Sequence, residues 1–130
     1  MRVLIISDME GVAGVVRWQQ VSGGDSVAYQ EARVLYTEEI NAAIRGARAA
    51  GATEVVVMDC HGAGGDWSFN SLRQDLLDPD CEFVVQQSWT QYTDALASGC
   101  DAALLVGMHA MAGTAGGVLS HTVSGSHWHN

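Results

Sequence analysis

Short apolar runs alternate along the chain with longer stretches of helical period. Val3-Leu4-Ile5-Ile6 has no polar interruption before Ser7, the pattern of a strand buried on both faces. Arg2–Ser7 is therefore read as the first strand. Glu54–Asp59 (EVVVMD), Glu82–Gln87 (EFVVQQ) and Ala102–Gly107 (AALLVG) read the same way, and Gly117–Ser124 (GVLSHTVS) is apolar and β-branched enough for a fifth. Between the first two runs, Val27, Leu35, Ile40, Ala43, Ile44 and Ala47 recur at a period near ~3.6 residues. They predict a long helix over Ser26–Ala50, closed by Gly51. Shorter helices are predicted at Ser71–Leu77, which stops at Asp78-Pro79, and through Asp94–Ala97. Strands alternating with helices predict an α/β fold, a mostly parallel sheet with helices on both faces, three-layered and Rossmann-like. Residues 1–130 read as a single α/β domain without internal repeat, low-complexity tract or linker.

Composition narrows what such a domain could do. Hydrophobic content of 48% and charged content of 16% suit a globular core. The net charge is -9, with six arginines and no lysine, which argues against nucleic acid or an anionic membrane as partner. Without lysine there is no phosphate-binding loop of the Gly-Lys-Ser/Thr type and no Schiff-base chemistry. No GxGxxG follows a strand, so a dinucleotide site is not supported. Cys60, Cys81 and Cys100 form no CxxC pair and read as reduced thiols of a cytosolic protein. No basic-then-apolar leader and no apolar run near ~18 residues is present. A cytoplasmic location is therefore expected.

The candidate chemistry lies just past the apolar runs. Asp8 and Glu10 follow the first strand, Asp59 and His61 the second, and His109 the fourth. In extended chain, residues two apart face one side, so Asp8 and Glu10 should converge and repel unless a cation lies between them. Parallel strands point one way, so all these residues should gather at the carboxyl edge of the sheet, where open α/β sheets bind ligands. Imidazoles with carboxylates are a ligand set for zinc or another first-row divalent metal, and Asp8, Glu10, His61 and His109 suffice for one site. Asp59 reads either as a turn former or as a support for such a site. Cys60 should point away from its two neighbours. His121, between Ser120 and Thr122, reads as a lone catalytic histidine or as a hydrogen-bonded core histidine, since no GxSxG elbow accompanies it. His127 and His129 read as a strand rim or chain boundary, and Glu38-Glu39 as a solvated helix face.

Four stretches carry a resemblance to a known family: SDMEGVAG at 7–14, YTEEINAAI at 36–44, ATEVVVMDCHG at 52–62 and ALLVGMHAMAGTAGGVLSHT at 103–122. Together and in this order they are similar to the zinc-dependent D-aminopeptidases of the dipeptide-transport-operon type. The resemblance implies a two-zinc site, with Asp8 bridging both ions, Glu10, His61 and His109 as further ligands, and His121 as the catalytic histidine. It implies amide hydrolysis that releases an N-terminal D-amino acid from short peptides such as D-Ala-D-Ala. It also implies a ring-like homo-oligomer whose interior admits only small peptides. The family pattern has a further glutamate ligand after the catalytic histidine, whereas none of the nine residues following His121 is acidic. The expectation is a chain truncated at the carboxyl end relative to the family, its second zinc completed by a residue beyond Asn130.

A zinc-dependent metallopeptidase or amidohydrolase is thus the expected function. The alternatives are a metallophosphoesterase, since clustered Asp and His also serve phosphoryl transfer, and a non-catalytic metal-binding assembly module.

Overall fold

The apolar residues of Arg2–Ser7 (β1) need cover on both faces and partners on both edges, and this strand lies inside the sheet. A computed structural model of the chain describes residues 1–86 and 91–122. The elements are β1, α1 (Val27–Ala49), β2 (Glu54–Asp59), β3 (Glu82–Val84), α2 (Gln91–Ala97) and β4 (Ala102–Val106), with a single 3₁₀ turn at each of Trp18–Gln20 and Gly65–Trp67. The strand order is β3-β2-β1-β4 and every pairing is parallel. The expected three-layer α/β architecture is therefore the one observed. Among the described residues no helix is long and apolar enough to cross a membrane.

Alternate strand residues feed two separate cores. Val3 and Ile5 of β1, with Val55 and Val57 of β2, pack with the buried stripe of α1. Leu4, Ile6, Val56 and Met58 face the other way and pack with Cys60 and with Ala95 of α2. Each such side chain contributes about 1.5–3 kcal/mol on full burial, which favours a central strand of only Val, Ile and Leu over an amphipathic one.

Helix α1 runs almost as expected. Ser26 Oγ accepts the Tyr29 N–H at its start, and Gly51 just past its end has φ +94°. Its buried face, however, is Tyr29, Ala32, Tyr36, Ile40, Ile44 and Ala47, while Val27 and Leu35 are solvent-exposed. Two tyrosines displace the aliphatic residues from the first half of the stripe because their hydroxyls find buried partners. Tyr29 bonds Ser71 Oγ at 2.9 Å, and Tyr36 donates to Asp59 Oδ1 at 3.0 Å.

Three expected elements differ. Ser71–Leu77 forms turns instead of a helix, because α1 and Asp59 take its backbone groups one by one. Asp59 Oδ2 accepts the Ser71 and Leu72 N–H groups, Thr37 Oγ1 accepts that of Arg73, and Asn41 Nδ2 donates to the Leu76 carbonyl. Strand β3 ends at Val84, after which Gln86 turns inward and donates to the Asp59 carbonyl at 2.7 Å; Gln87 lies outside the described residues. No strand forms over 117–122. That stretch runs through turns, with Leu119 at φ 50° and the His121 N–H donating to the Ala110 carbonyl. Residues 123–130, including His127 and His129, lie outside the description.

The loops after β1 and β4 cross at van der Waals limit. Gly11 N–H donates to the Gly107 carbonyl at 2.7 Å, and Asp8 N–H to the Val106 carbonyl at 2.9 Å. A Cβ on Gly11 would collide with the Met108 carbonyl, and one on Gly107 with the Asp8 carbonyl. Gly107 also has φ +69°, which a side chain tolerates poorly. We predict that Gly107→Ala lowers unfolding free energy by about 2–4 kcal/mol in urea titration. A loss under about 0.5 kcal/mol, the range of an ordinary surface substitution, would show that the crossing adjusts freely.

Candidate metal centre

The strand register brings the polar residues of the chain into one place. Ser7 lies opposite Asp59 on one side and Val106 on the other, so three strands end level. The loops that leave these strands therefore emerge at the same edge. Asp8 and Glu10 do converge, although Glu10 already sits in a turn rather than in extended chain; Met9 between them is buried in the core. Asp8, Glu10 and His61 offer ligand atoms all within 4.8 Å of one another, and all three are buried. His109 Nε2 stands 3.6 Å from Asp8 Oδ2, and His121 Nε2 3.8 Å from Glu10 Oε1. The two outer imidazoles stack with centroids 3.7 Å apart. All five residues singled out in the sequence thus meet around one cavity of about 260 Å³, walled on its apolar side by Ile6 and Met108.

Each histidine spends one ring nitrogen on a backbone carbonyl. His61 Nε2 lies 2.7 Å from the Val21 carbonyl, His109 Nδ1 2.9 Å from that of Ala110, and His121 Nδ1 2.7 Å from that of Leu119. A carbonyl only accepts, so these nitrogens must carry the hydrogens. In the neutral rings the opposite nitrogens, His61 Nδ1, His109 Nε2 and His121 Nε2, then present lone pairs toward the carboxylates. Fixing the tautomer through the remote nitrogen is how ligating histidines are oriented.

Acceptors consequently face acceptors. His61 Nδ1 is 3.3 Å from Asp8 Oδ1 and 3.1 Å from Glu10 Oε2, and that Glu10 oxygen is fully buried without a hydrogen bond. Two carboxylates with oxygens inside 4.8 Å repel by about 3 kcal/mol at an effective dielectric near ~20. A cation at the centre resolves both problems, so the donor set and the orphaned oxygen fit a divalent metal. In the metal-free chain a proton on His61 takes that place. Burial alone would lower the His61 pKa, but the hydrogen bonds and charges of Asp8 and Glu10 outweigh it and raise it to about 10. For Glu10, burial is likewise outweighed by His61, which brings the carboxyl down to about 2. Asp8 is shifted upward, chiefly by burial and further by the charge of Glu10, against the pull of His61.

Other residues are sorted by the same geometry. Asp59 forms turns: its carboxylate accepts from Tyr36 Oη and from the N–H groups of His61, Ser71 and Leu72. Burial pushes its pKa up against these donors. Cys60 belongs to the core on the α2 face but also lines the cavity edge, and burial raises its thiol to about 11. Glu39 is not merely solvated, since Oε2 accepts the Ala13 N–H at 3.0 Å. The carbonyl anchors at Val21, Ala110 and Leu119 leave no mark in the sequence, as any residue type supplies a carbonyl. A larger cavity of about 680 Å³ near Arg33, Trp67 and Arg73 shares no lining residue with this one. Its guanidiniums are already engaged, Arg33 with backbone carbonyls and Arg73 with Asp75.

A parallel sheet with buried carboxylates and oriented imidazoles at its carboxyl edge has the donor set of a divalent-metal α/β protein. The chain matches the D-aminopeptidase family of peptidases across residues 1–130 and belongs to that family. It is 32% identical over 127 residues to the D-aminopeptidase of Bacillus subtilis (strain 168), covering 95% of this chain and 43% of that protein. Among solved structures it resembles the Zn-dependent D-aminopeptidase DppA from Bacillus subtilis, described as a self-compartmentalizing protease, with a TM-score of 0.78 and 31% identity. That match again covers 95% of this chain and 43% of the other, so the chain spans less than half the length of these relatives.

Zinc binding must displace the His61 proton, which is present below about pH 10. Affinity should therefore rise with pH, by about tenfold per unit between pH ~6 and ~9. Competition with a chromophoric chelator measures this. A flat profile would mean that His61 donates no nitrogen to the ion.

Proposed function

We propose that this chain is the metal-binding part of a zinc-dependent aminopeptidase that releases N-terminal D-amino acids from short peptides of the D-Ala-D-Ala type. The observation that carries the reading is the buried set of facing acceptors, Asp8, Glu10 and His61, in a chain of this family. Asp8, Glu10, His61 and His109 would hold two zinc ions. Bound zinc supplies Lewis acidity toward the peptide carbonyl and lowers the pKa of water.

The protein's own contribution is orientation and proton handling. His121 is held at Nδ1 by the Leu119 carbonyl, which leaves Nε2 open on the cavity as the atom that takes a proton from the attacking water or returns it to the leaving amine. Glu10 Oε1 lies 3.8 Å from that nitrogen. Ile6 and Met108 present apolar surface to the substrate and limit water access. A cavity of about 260 Å³ suits a small peptide. Assembly into a ring-like homo-oligomer is inferred from the relative described as self-compartmentalizing. A cytoplasmic location agrees with the free cysteines. Phosphoester hydrolysis is disfavoured because no arginine lines the cavity to neutralise a phosphoryl group.

Zinc-loaded protein should hydrolyse D-Ala-D-Ala and lose that activity to a chelator. His121→Ala should lower kcat by about 10²–10⁴-fold while zinc affinity stays within about threefold. Tight zinc binding without cleavage of any D- or L-dipeptide would overturn the hydrolase reading and favour a non-catalytic metal-binding module.

A further inference from the structure

The loop between β1 and α1 contributes Glu10 and then continues past the site without offering another metal-ligating atom among residues 11–24. Two of its groups nevertheless touch site histidines. The Val21 carbonyl holds His61 Nε2 at 2.7 Å. The Trp18 ring meets that of His121 edge-on, with centroids 5.4 Å apart and planes at 70°. Between them sits Gln20, a polar side chain buried to more than nine-tenths of its surface. Its Oε1 accepts the N–H groups of Val16 at 2.9 Å and Arg17 at 3.0 Å, and its Nε2 donates to the Gly14 carbonyl at 3.0 Å. The main chain closes the same turn, as Gln20 N–H donates to the Arg17 carbonyl and Val21 N–H to that of Trp18. Each heteroatom of the Gln20 side chain is thus spent on the path of this loop, and none reaches the cavity.

We propose that Gln20 is a positioning residue for the metal site, acting through the backbone of its own loop. By clamping residues 14–17, it fixes where the Trp18–Gln20 turn falls and hence where the Val21 carbonyl points. That carbonyl selects the His61 tautomer with hydrogen on Nε2 and the lone pair of Nδ1 facing Asp8 and Glu10. The same turn sets Trp18 against His121. One buried amide therefore orients two imidazoles that line the cavity, with no hydrogen bond of its own to either. The physical reason is directional. A loop without this clamp can shift its carbonyls by fractions of an ångström, and a hydrogen bond loses strength steeply as its angle departs from linear. Metal affinity inherits that loss, because ligands left unoriented by their outer partners bind about 10–100-fold more weakly.

The inference rests on the metal-site reading above, and the experiment separates the two. Zinc alone is titrated into the full chain against a chromophoric chelator, for the unaltered protein, Gln20→Met and Gln20→Glu. Methionine keeps the shape of glutamine without its hydrogen bonds, whereas glutamate keeps both acceptor bonds to Val16 and Arg17. Gln20→Met should bind zinc about tenfold more weakly, with Gln20→Glu in between. In nitrogen-resolved spectra of the zinc-loaded chain, the His61 Nε2–H should be protected from solvent exchange in the unaltered protein and lose protection in Gln20→Met. A purely structural role would lower thermal stability without moving that signal. Zinc affinity within about twofold of the unaltered chain, with His61 Nε2–H still protected in Gln20→Met, overturns the proposal and leaves the metal site standing. Failure of the unaltered chain to bind zinc removes both.

Discussion

Asp59 carries its carboxylate to a position with no solvent access, and donors from three parts of the chain meet it there. Tyr36 reaches it from α1, Ser71 and Leu72 from the segment before β3, and the His61 N–H from the end of its own strand. Its backbone carbonyl holds Gln86 as well. Burying a carboxylate without such partners would cost several kcal/mol, so these segments are bound to one point by the cost of leaving it unpaired. Ser7 joins the arrangement by donating to Tyr36 Oη at 2.6 Å, the hydrogen of Tyr36 being given to Asp59. The ends of β1 and β2, the middle of α1 and the 61–72 loop are therefore one hydrogen-bonded unit. The candidate metal centre stands on it, and Asp59 is not among the residues that offer it a ligand atom.

The centre itself is built by the opposite logic. Around Asp59 every acceptor oxygen has donors, whereas Glu10 Oε2 has none, and the neutral His61 Nδ1 would face both it and Asp8, whose Oδ1 already takes the Met9 N–H. Polar satisfaction is normally close to complete in a folded interior, so a local surplus of buried acceptors marks a place reserved for a cation. The backbone carbonyls at Val21, Ala110 and Leu119 sharpen the point, since each turns an ambivalent imidazole into a directed acceptor. Membership of a family with a zinc-dependent member fits this chemistry.

Much of this was readable in the residues. A both-faces-apolar run such as VLII, followed at once by Asp and Glu, fits poorly anywhere but the interior of a parallel sheet, and β1, β2, β4 and α1 lie where expected. Asp8, Glu10, His61 and His109 were legible because position after a strand is a topological property, set by chain order. What stayed hidden was governed by side chains meeting across distance. Ser71–Leu77 has helical composition, but Arg33, Thr37, Asn41 and Asp59 draw its backbone groups away individually. The phase of α1 was mistaken in its first half because a tyrosine with a buried hydroxyl partner outcompetes Val27 and Leu35 for the core. GVLSHTVS has strand-like residues, yet over 117–122 glycine-rich turns and the bond from His121 N–H to the Ala110 carbonyl hold it as a loop.

The three most buried donors share a further property. Asp8, Glu10 and His61 all belong to the first strand–helix–strand unit, whose two strands are direct neighbours in the sheet. His109 and His121 arrive only after β4 has been added beside β1. Chain order thus places the three most buried ligand atoms ahead of β4, while the backbone bonds that fix Asp8 and Gly11 come from Val106 and Gly107, so the cluster is set only once the last strand has joined the sheet.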